Sequence, residues 1–131
     1  MTSAEFLAVV LPSEGFGLYC AVELTKKKEH VYAAKIEELI PTIEQWHANN
    51  YDVFYGLATF DKKRGAEDAQ YLKSFFVDLD GYATKKAAAD ALIEFLTRSG
   101  LDALGTPWVV DSGGGLHCYW PLKDEIPATI W

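Results

Sequence analysis

Hydrophobic positions along this chain follow two rhythms, one of strand-length apolar runs and one of helical spacing. Phe6 to Leu11 is a short apolar run closed by the turn formers Pro12-Ser13-Glu14-Gly15, and it predicts a strand. Gly15 to Leu24, "GFGLYCAVEL", is rich in aromatic and β-branched residues and predicts a second, ended by Lys26, Lys27 and Lys28. From Ile36 to Asn49 the rhythm changes. Ile36, Leu39, Ile40, Ile43 and Trp46 recur at helical spacing and predict a helix, which Pro41 should bend. A third strand is predicted over Asp52 to Phe60, and a polar loop holding Lys62, Lys63, Arg64 and Gly65 over Asp61 to Gln70. Ser74 to Asp80 reads as a fourth strand. Thr84 suits the N-cap of a second helix and Gly100 its stop, with Ala88, Ala91, Leu92, Phe95 and Leu96 on the buried face. Trp108 to Asp111 and Leu116 to Leu122 then flank a glycine turn as paired strands.

Some neighbouring strands are joined by hairpins and others by long connections. The order predicts an α+β fold, a mixed and largely antiparallel sheet with helices packed on one face. A length of 131 residues fits one domain spanning residues 1–131. The closing "KDEIPATIW" carries an acidic start, a proline and an apolar pair, the pattern of the first turn of a further helix. The expectation is therefore a chain truncated at its C-terminus, the N-terminal portion of a larger catalytic domain.

Composition narrows the function. Half of the residues are hydrophobic and 24% are charged, as in globular proteins. The net charge of −7 has the wrong sign for holding nucleic acid by the overall field. A polyanionic ligand would need local basic groups or bound metal ions. Cys20 and Cys118 lie far apart with no CxxC pair and read as reduced, buried thiols of a cytoplasmic protein. The N-terminus has no basic n-region, so it does not read as a signal peptide. No apolar stretch approaches the roughly 18 residues of a membrane span, and a soluble protein without a membrane partner is expected.

The candidate chemistry begins with "SFFVDLDGYA", Ser74 to Ala83. Residues i and i+2 of a strand point to one face, so Asp78 and Asp80 project together after Phe76, while Phe75, Val77 and Leu79 face the other way. Two carboxylates about 7 Å apart repel one another, and a hard divalent cation reverses that cost. The plain alternative is a solvated pair with Asp80-Gly81 opening a turn. Downstream, "VVDSGGGLHCYW" places Gly113, Gly114 and Gly115 where backbone N–H groups can meet phosphate oxygens, with Ser112 before them and His117 on the following strand. Its plain alternative is a tight hairpin with a buried histidine.

Other residues carry less. Lys62, Lys63 and Arg64 form the compact basic loop nearest in sequence and suit template phosphates or plain solvation. Lys85 and Lys86 put positive charge in a first helical turn, against the dipole, which hints at a phosphate contact. Lys73 faces away from both aspartates by alternation. Tyr82 suits stacking or packing, His30 and His47 read as surface residues, and Trp108, Tyr119 and Trp120 read as core.

"FFVDLDGY" resembles the strand of haloacid dehalogenase-type phosphatases, but Tyr82 stands where that family has Thr, and about 77 residues precede the motif. The two stretches taken together resemble the archaeo-eukaryotic primase superfamily, in particular the primase-polymerase domains of phage and plasmid replication proteins. Phe75-Phe76-Val77-Asp78-Leu79-Asp80 is similar to its first motif, and Ser112-Gly113-Gly114-Gly115-Leu116-His117-Cys118-Tyr119-Trp120 to its second. The resemblance covers roughly Val31 to Leu122. It implies an RRM-like core and a nucleotidyltransferase, a DNA primase/polymerase acting by template-directed transfer on the two-metal plan. Asp78 and Asp80 would hold Mg²⁺ or Mn²⁺ and be catalytic with His117. Ser112, Gly113, Gly114, Gly115 and His117 would bind the triphosphate. Nucleoside triphosphates, a DNA template and primer, and a helicase of the same replication system are the implied partners, in a bacterial or phage-infected host cytoplasm.

Two departures stand out. Gly115 sits where many members carry Ser or Thr, and the family's third acidic motif has no counterpart, since nine residues follow Leu122 and Asp124 and Glu125 come too soon. The catalytic set is thus expected to be incomplete within these residues. The alternatives are a non-catalytic nucleotide- or DNA-binding replication domain and a rolling-circle initiator endonuclease. The latter needs closely spaced histidines, and only His117 is offered.

Overall fold

The computed structural model describes residues 1–26 and 28–130. Among them the fold is α+β, with three α-helices and antiparallel sheets, one of which curls as a half-barrel. Two compact units are formed, one by residues 1–73 with those from 123 onward, the other by residues 74–122.

The first unit opens with α1 (Ser3–Val10), where the apolar run at Phe6 to Leu11 led us to expect a strand. Thr2 explains the difference. Its hydroxyl accepts from the Glu5 amide and donates to Glu5 Oε1, each at 3.1 Å, so Thr2 caps the helix, and the tetrad Thr2-Ser3-Ala4-Glu5 has the sequence of a capping box. After α1 come β1 (Tyr19–Glu23), β2 (Glu29–Ala33), α2 (Ile36–Ala48), β3 (Val53–Tyr55) and β4 (Thr59–Phe60). A three-stranded antiparallel sheet has the order β2-β1-β3, with Tyr19 opposite Ala33 and Ala21 opposite Tyr55. As the central strand β1 is buried at every position, which is why it reads as a continuous apolar run rather than an alternating one. Cys20 and Val22 pack with Ala58 and Phe60, while α2 packs against β1 and β2.

Two expectations about this unit are corrected. The hairpin partner β2 does not stand out in the sequence, because "EHVYA" is an edge strand with its first two residues exposed. The single strand expected over Asp52 to Phe60 is two strands of different sheets, β3 beside β1 and β4 beside β5. The break falls at Gly56, where a Cβ would lie 2.6 Å from the Phe60 ring.

Four strands make the other sheet, in the order β4-β5-β7-β6, with β5 spanning Ala69–Leu79, β6 Trp108–Asp111 and β7 Leu116–Pro127. Both β5 and β7 are longer than their apolar cores predict. The polar ends, Ala69 to Lys73 and Lys123 to Pro127, belong to the first unit, where Lys73 and Glu125 approach to 3.8 Å. The expected further helix at the chain end is a 3-10 turn, Ala128–Ile130.

In the second unit α3 (Lys85–Ser99) starts where Thr84 Oγ1 accepts from the Ala87 amide at 3.0 Å and stops at Gly100, whose φ is 77°. Ala88 and Leu92 of α3 are buried against Leu116, Cys118 and Trp120 of β7, with Val77, Leu79, Ala89 and Leu96 packed around them. Phe95, expected in that face, is exposed. Val77 and Leu79 share the helix side of the sheet with Leu116 and Cys118. By strand alternation Phe76, Asp78, His117 and Tyr119 therefore share the opposite face. Among the described residues no helix is long and apolar enough to cross a membrane.

Candidate functional site

Every residue singled out for chemistry in the two motifs lies in the second unit. Asp78 stands near the C-terminal end of β5, and Asp80 follows its last residue. His117 is the second residue of β7, the strand next to β5 in the sheet. Its Nε2 lies 3.5 Å from Asp78 Oδ1, so the two motifs meet side to side across the sheet. The imidazole is steadied from below: Phe76 packs edge-on against it with ring centroids 5.4 Å apart, and Phe76 also meets Tyr119 at 5.0 Å. Asp78 is half exposed and His117 about one-third exposed, so both reach solvent from a packed base.

The glycine turn closes on the end of β5. A Cβ at Gly115 would collide with the Leu79 carbonyl oxygen and stand 3.1 Å from Asp80 Cα. That close approach accounts for glycine here instead of a hydroxyl-bearing residue. At Gly114 a Cβ would meet Asp80 Oδ1 at 3.5 Å, an ordinary contact, so the turn runs alongside the second carboxylate. Asp80 Oδ1 also accepts from the Gly81 amide at 2.9 Å, and Gly81 has a φ of 79°. The Asp80-Gly81 turn is thus real. It leaves the carboxylate with further lone pairs, since an ionised carboxylate has about four acceptor sites.

Within the turn most donors are already engaged. The Gly113 amide donates to Asp111 Oδ1 at 2.9 Å, and the Gly115 amide to Ser112 Oγ at 3.2 Å. The Ser112 amide donates to the Gly115 carbonyl at 3.1 Å. From the first turn of α3, Lys85 Nζ reaches Asp111 Oδ1 at 2.6 Å and donates to the carbonyls of Gly113 at 3.1 Å and Gly115 at 2.9 Å. The Lys85 ammonium, with the Gly113 amide, holds the Asp111 carboxyl below the usual carboxylate range. A small cavity of about 180 Å³ lies on this side, lined by Tyr82, Thr84, Lys85, Ala88 and the three glycines.

These arrangements sort the lesser candidates. Lys86 pairs with Asp90 at 2.9 Å along the helix, and Lys73 with Glu125 in the other unit. Tyr119 and Trp120 are core, whereas Trp108 and Tyr82 are partly exposed. The basic loop lies in the first unit, where the Arg64 amide donates to Tyr32 Oη at 2.8 Å and Arg64 Nε to His30 Nε2 at 3.3 Å. Sequence reasoning missed Asp111, the counter-charge of Lys85. The signal was the unfavourable charge at the start of α3, which called for an anionic partner.

Chemically, Asp78 offers carboxylate oxygens to a cation with the His117 imidazole beside it, and Asp80 offers others beside the glycine turn. Among the described residues no group of three or more His, Cys, Asp or Glu side chains is clustered as a metal cage. The donor set suits a divalent ion that brings further oxygen ligands with it, as Mg²⁺ does with substrate phosphates and water. Comparison of the chain with models of protein families, with curated proteins and with solved structures finds no match.

Proposed function

We propose that this chain carries the nucleotide- and metal-binding face of a primase-polymerase domain of the archaeo-eukaryotic primase kind. The reaction is template-directed nucleotidyl transfer in the DNA replication of a phage or plasmid. The observation that carries this reading is the approach of His117 to Asp78 across neighbouring strands, with the glycine turn closed on the backbone of Leu79 and Asp80.

Asp78 and Asp80 hold the divalent ion, Mg²⁺ or Mn²⁺. Bound there, such an ion would supply Lewis acidity to the triphosphate and the primer 3′-hydroxyl. His117, steadied by Phe76, donates a hydrogen bond to a phosphate oxygen. The glycine turn fixes the path along which the triphosphate approaches Asp80. Nucleoside triphosphates and a primed DNA template are the substrates, and a helicase of the same replication system is the partner class.

Calorimetry with Mn²⁺ and dATP tests the reading. Wild type binds the pair, and Asp78→Ala and His117→Ala each weaken binding at least tenfold. Absence of binding by wild type, or wild-type binding by both variants, rejects it. Binding without extension of a primed template favours the non-catalytic replication domain instead.

A further inference from the structure

Three amides belong to the glycine turn, and two of them are engaged inside it, Gly113 with Asp111 Oδ1 and Gly115 with Ser112 Oγ. Among the described residues the Gly114 amide has no partner. Its direction is set by the residue before it. The peptide between Gly113 and Gly114 is trans, so its C=O and N–H point in opposite directions. Lys85 Nζ holds that C=O at 3.1 Å on the helix side. The Gly114 N–H is therefore turned away from the lysine, while a Cβ on Gly114 would stand 3.5 Å from Asp80 Oδ1.

Lys85 does not hold one atom only. Its ammonium has three donors, and three acceptors surround it: Asp111 Oδ1, the Gly113 carbonyl and the Gly115 carbonyl. Both carbonyls flank Gly114. The lysine is thus a three-point clamp on the stretch of backbone that holds the unpartnered Gly114 amide.

We propose that Lys85 is a positioning residue: its clamp on the turn aims the Gly114 amide at a phosphate oxygen of the nucleotide held at Asp80. The inference rests on the proposed nucleotide reading and deepens it. Lys85 itself does not touch the ligand, because its donors are already satisfied on the turn. A flexible glycine tripeptide without the clamp would sample many backbone states, and ordering it would be charged against binding.

Lys86 supplies the control. It sits in the same first turn with the same charge, but it pairs with Asp90 and does not reach the glycines. Lys85→Met and Lys86→Met remove equal charge from the same helix end. Each is compared with wild type by calorimetry with Mn²⁺ and dATP and, with diamagnetic Mg²⁺ and dATP, by the ¹H–¹⁵N resonances of Gly113, Gly114 and Gly115. Expected is a loss of at least tenfold in affinity for Lys85→Met and less than about twofold for Lys86→Met, with melting temperatures confirming that both fold. In wild type and Lys86→Met the ligand moves the Gly114 resonance downfield, and in Lys85→Met it does not. Equal losses in the two variants would reduce Lys85 to a long-range charge and overturn the positioning role. So would an unchanged Gly114 resonance in liganded wild type. Failure of wild type to bind at all overturns the nucleotide reading, and the role of Lys85 falls with it.

Discussion

A single glycine carries much of the geometry of the site. Gly115 has no room for a side chain, because the Leu79 backbone occupies the Cβ position. Backbone does not yield as a flexible side chain would, so Gly115→Ala should destabilise the chain by about 1–3 kcal/mol. Gly114→Ala, facing only an ordinary contact with Asp80, should change stability by less than about 1 kcal/mol. Paired urea melts decide it, and equal losses at the two positions would contradict the packing described. Tyr19 makes a different residue-scale prediction in the first unit. Its hydroxyl donates to the Pro12 carbonyl at 2.6 Å, and burial, aided by Glu14, Glu125 and Glu37, pushes its pKa from 10.0 to about 12. The folded pKa lies above the unfolded one, so this contribution to stability is complete below pH 10 and is lost as the pH rises toward 12. Tyr19→Phe should cost about 1 kcal/mol at neutral pH, for the unpaired carbonyl, yet lose less stability than wild type between about pH 10 and about pH 12.

At the scale of elements, α2 and α1 show which signals a sequence transmits. Pro41 sits inside α2 and is exposed, so it removes one helical hydrogen bond without a packing role in return. Pro41→Ala should raise stability by about 1–3 kcal/mol in a thermal melt, and a loss would mean that the proline holds something else in place. The spacing of Ile36, Leu39 and Trp46 made α2 legible, and Thr84 with Gly100 bounded α3 to the residue. Helix α1 was misread because six apolar residues in a row carry no period. Its capping box was the better signal, since a cap is a local hydrogen-bond fact whereas a short run fits either element. Edge strand β2 was invisible because a solvated strand has no need of apolar alternation. The shared face of Asp78 and Phe76 followed from alternation alone. Its closeness to His117 did not, because the pairing of β5 with β7 is long-range and no local pattern encodes it.

For the molecule as a whole, the constraint is charge. A chain of net charge −7 repels a triphosphate, and two of its carboxylates, Asp78 and Asp80, belong to the proposed site. On the proposed reading, triphosphate binding would therefore be conditional on a divalent cation, held by Asp78 and Asp80 together with phosphate and water oxygens, since no protein cage is found among the described residues. Cysteine chemistry is not part of this account: Cys20 and Cys118 are buried and free, and burial pushes both thiols up, away from reactivity. The most direct test uses the paramagnetism of Mn²⁺. Substoichiometric Mn²⁺ with dATP, added to ¹⁵N-labelled protein, should broaden the amide resonances of residues 78–81 and 113–117 first, and EDTA should restore them. Broadening centred elsewhere, on the acidic start of α2 at Glu37 and Glu38 for example, or none at all, would contradict a metal-nucleotide site built on Asp78, Asp80 and His117.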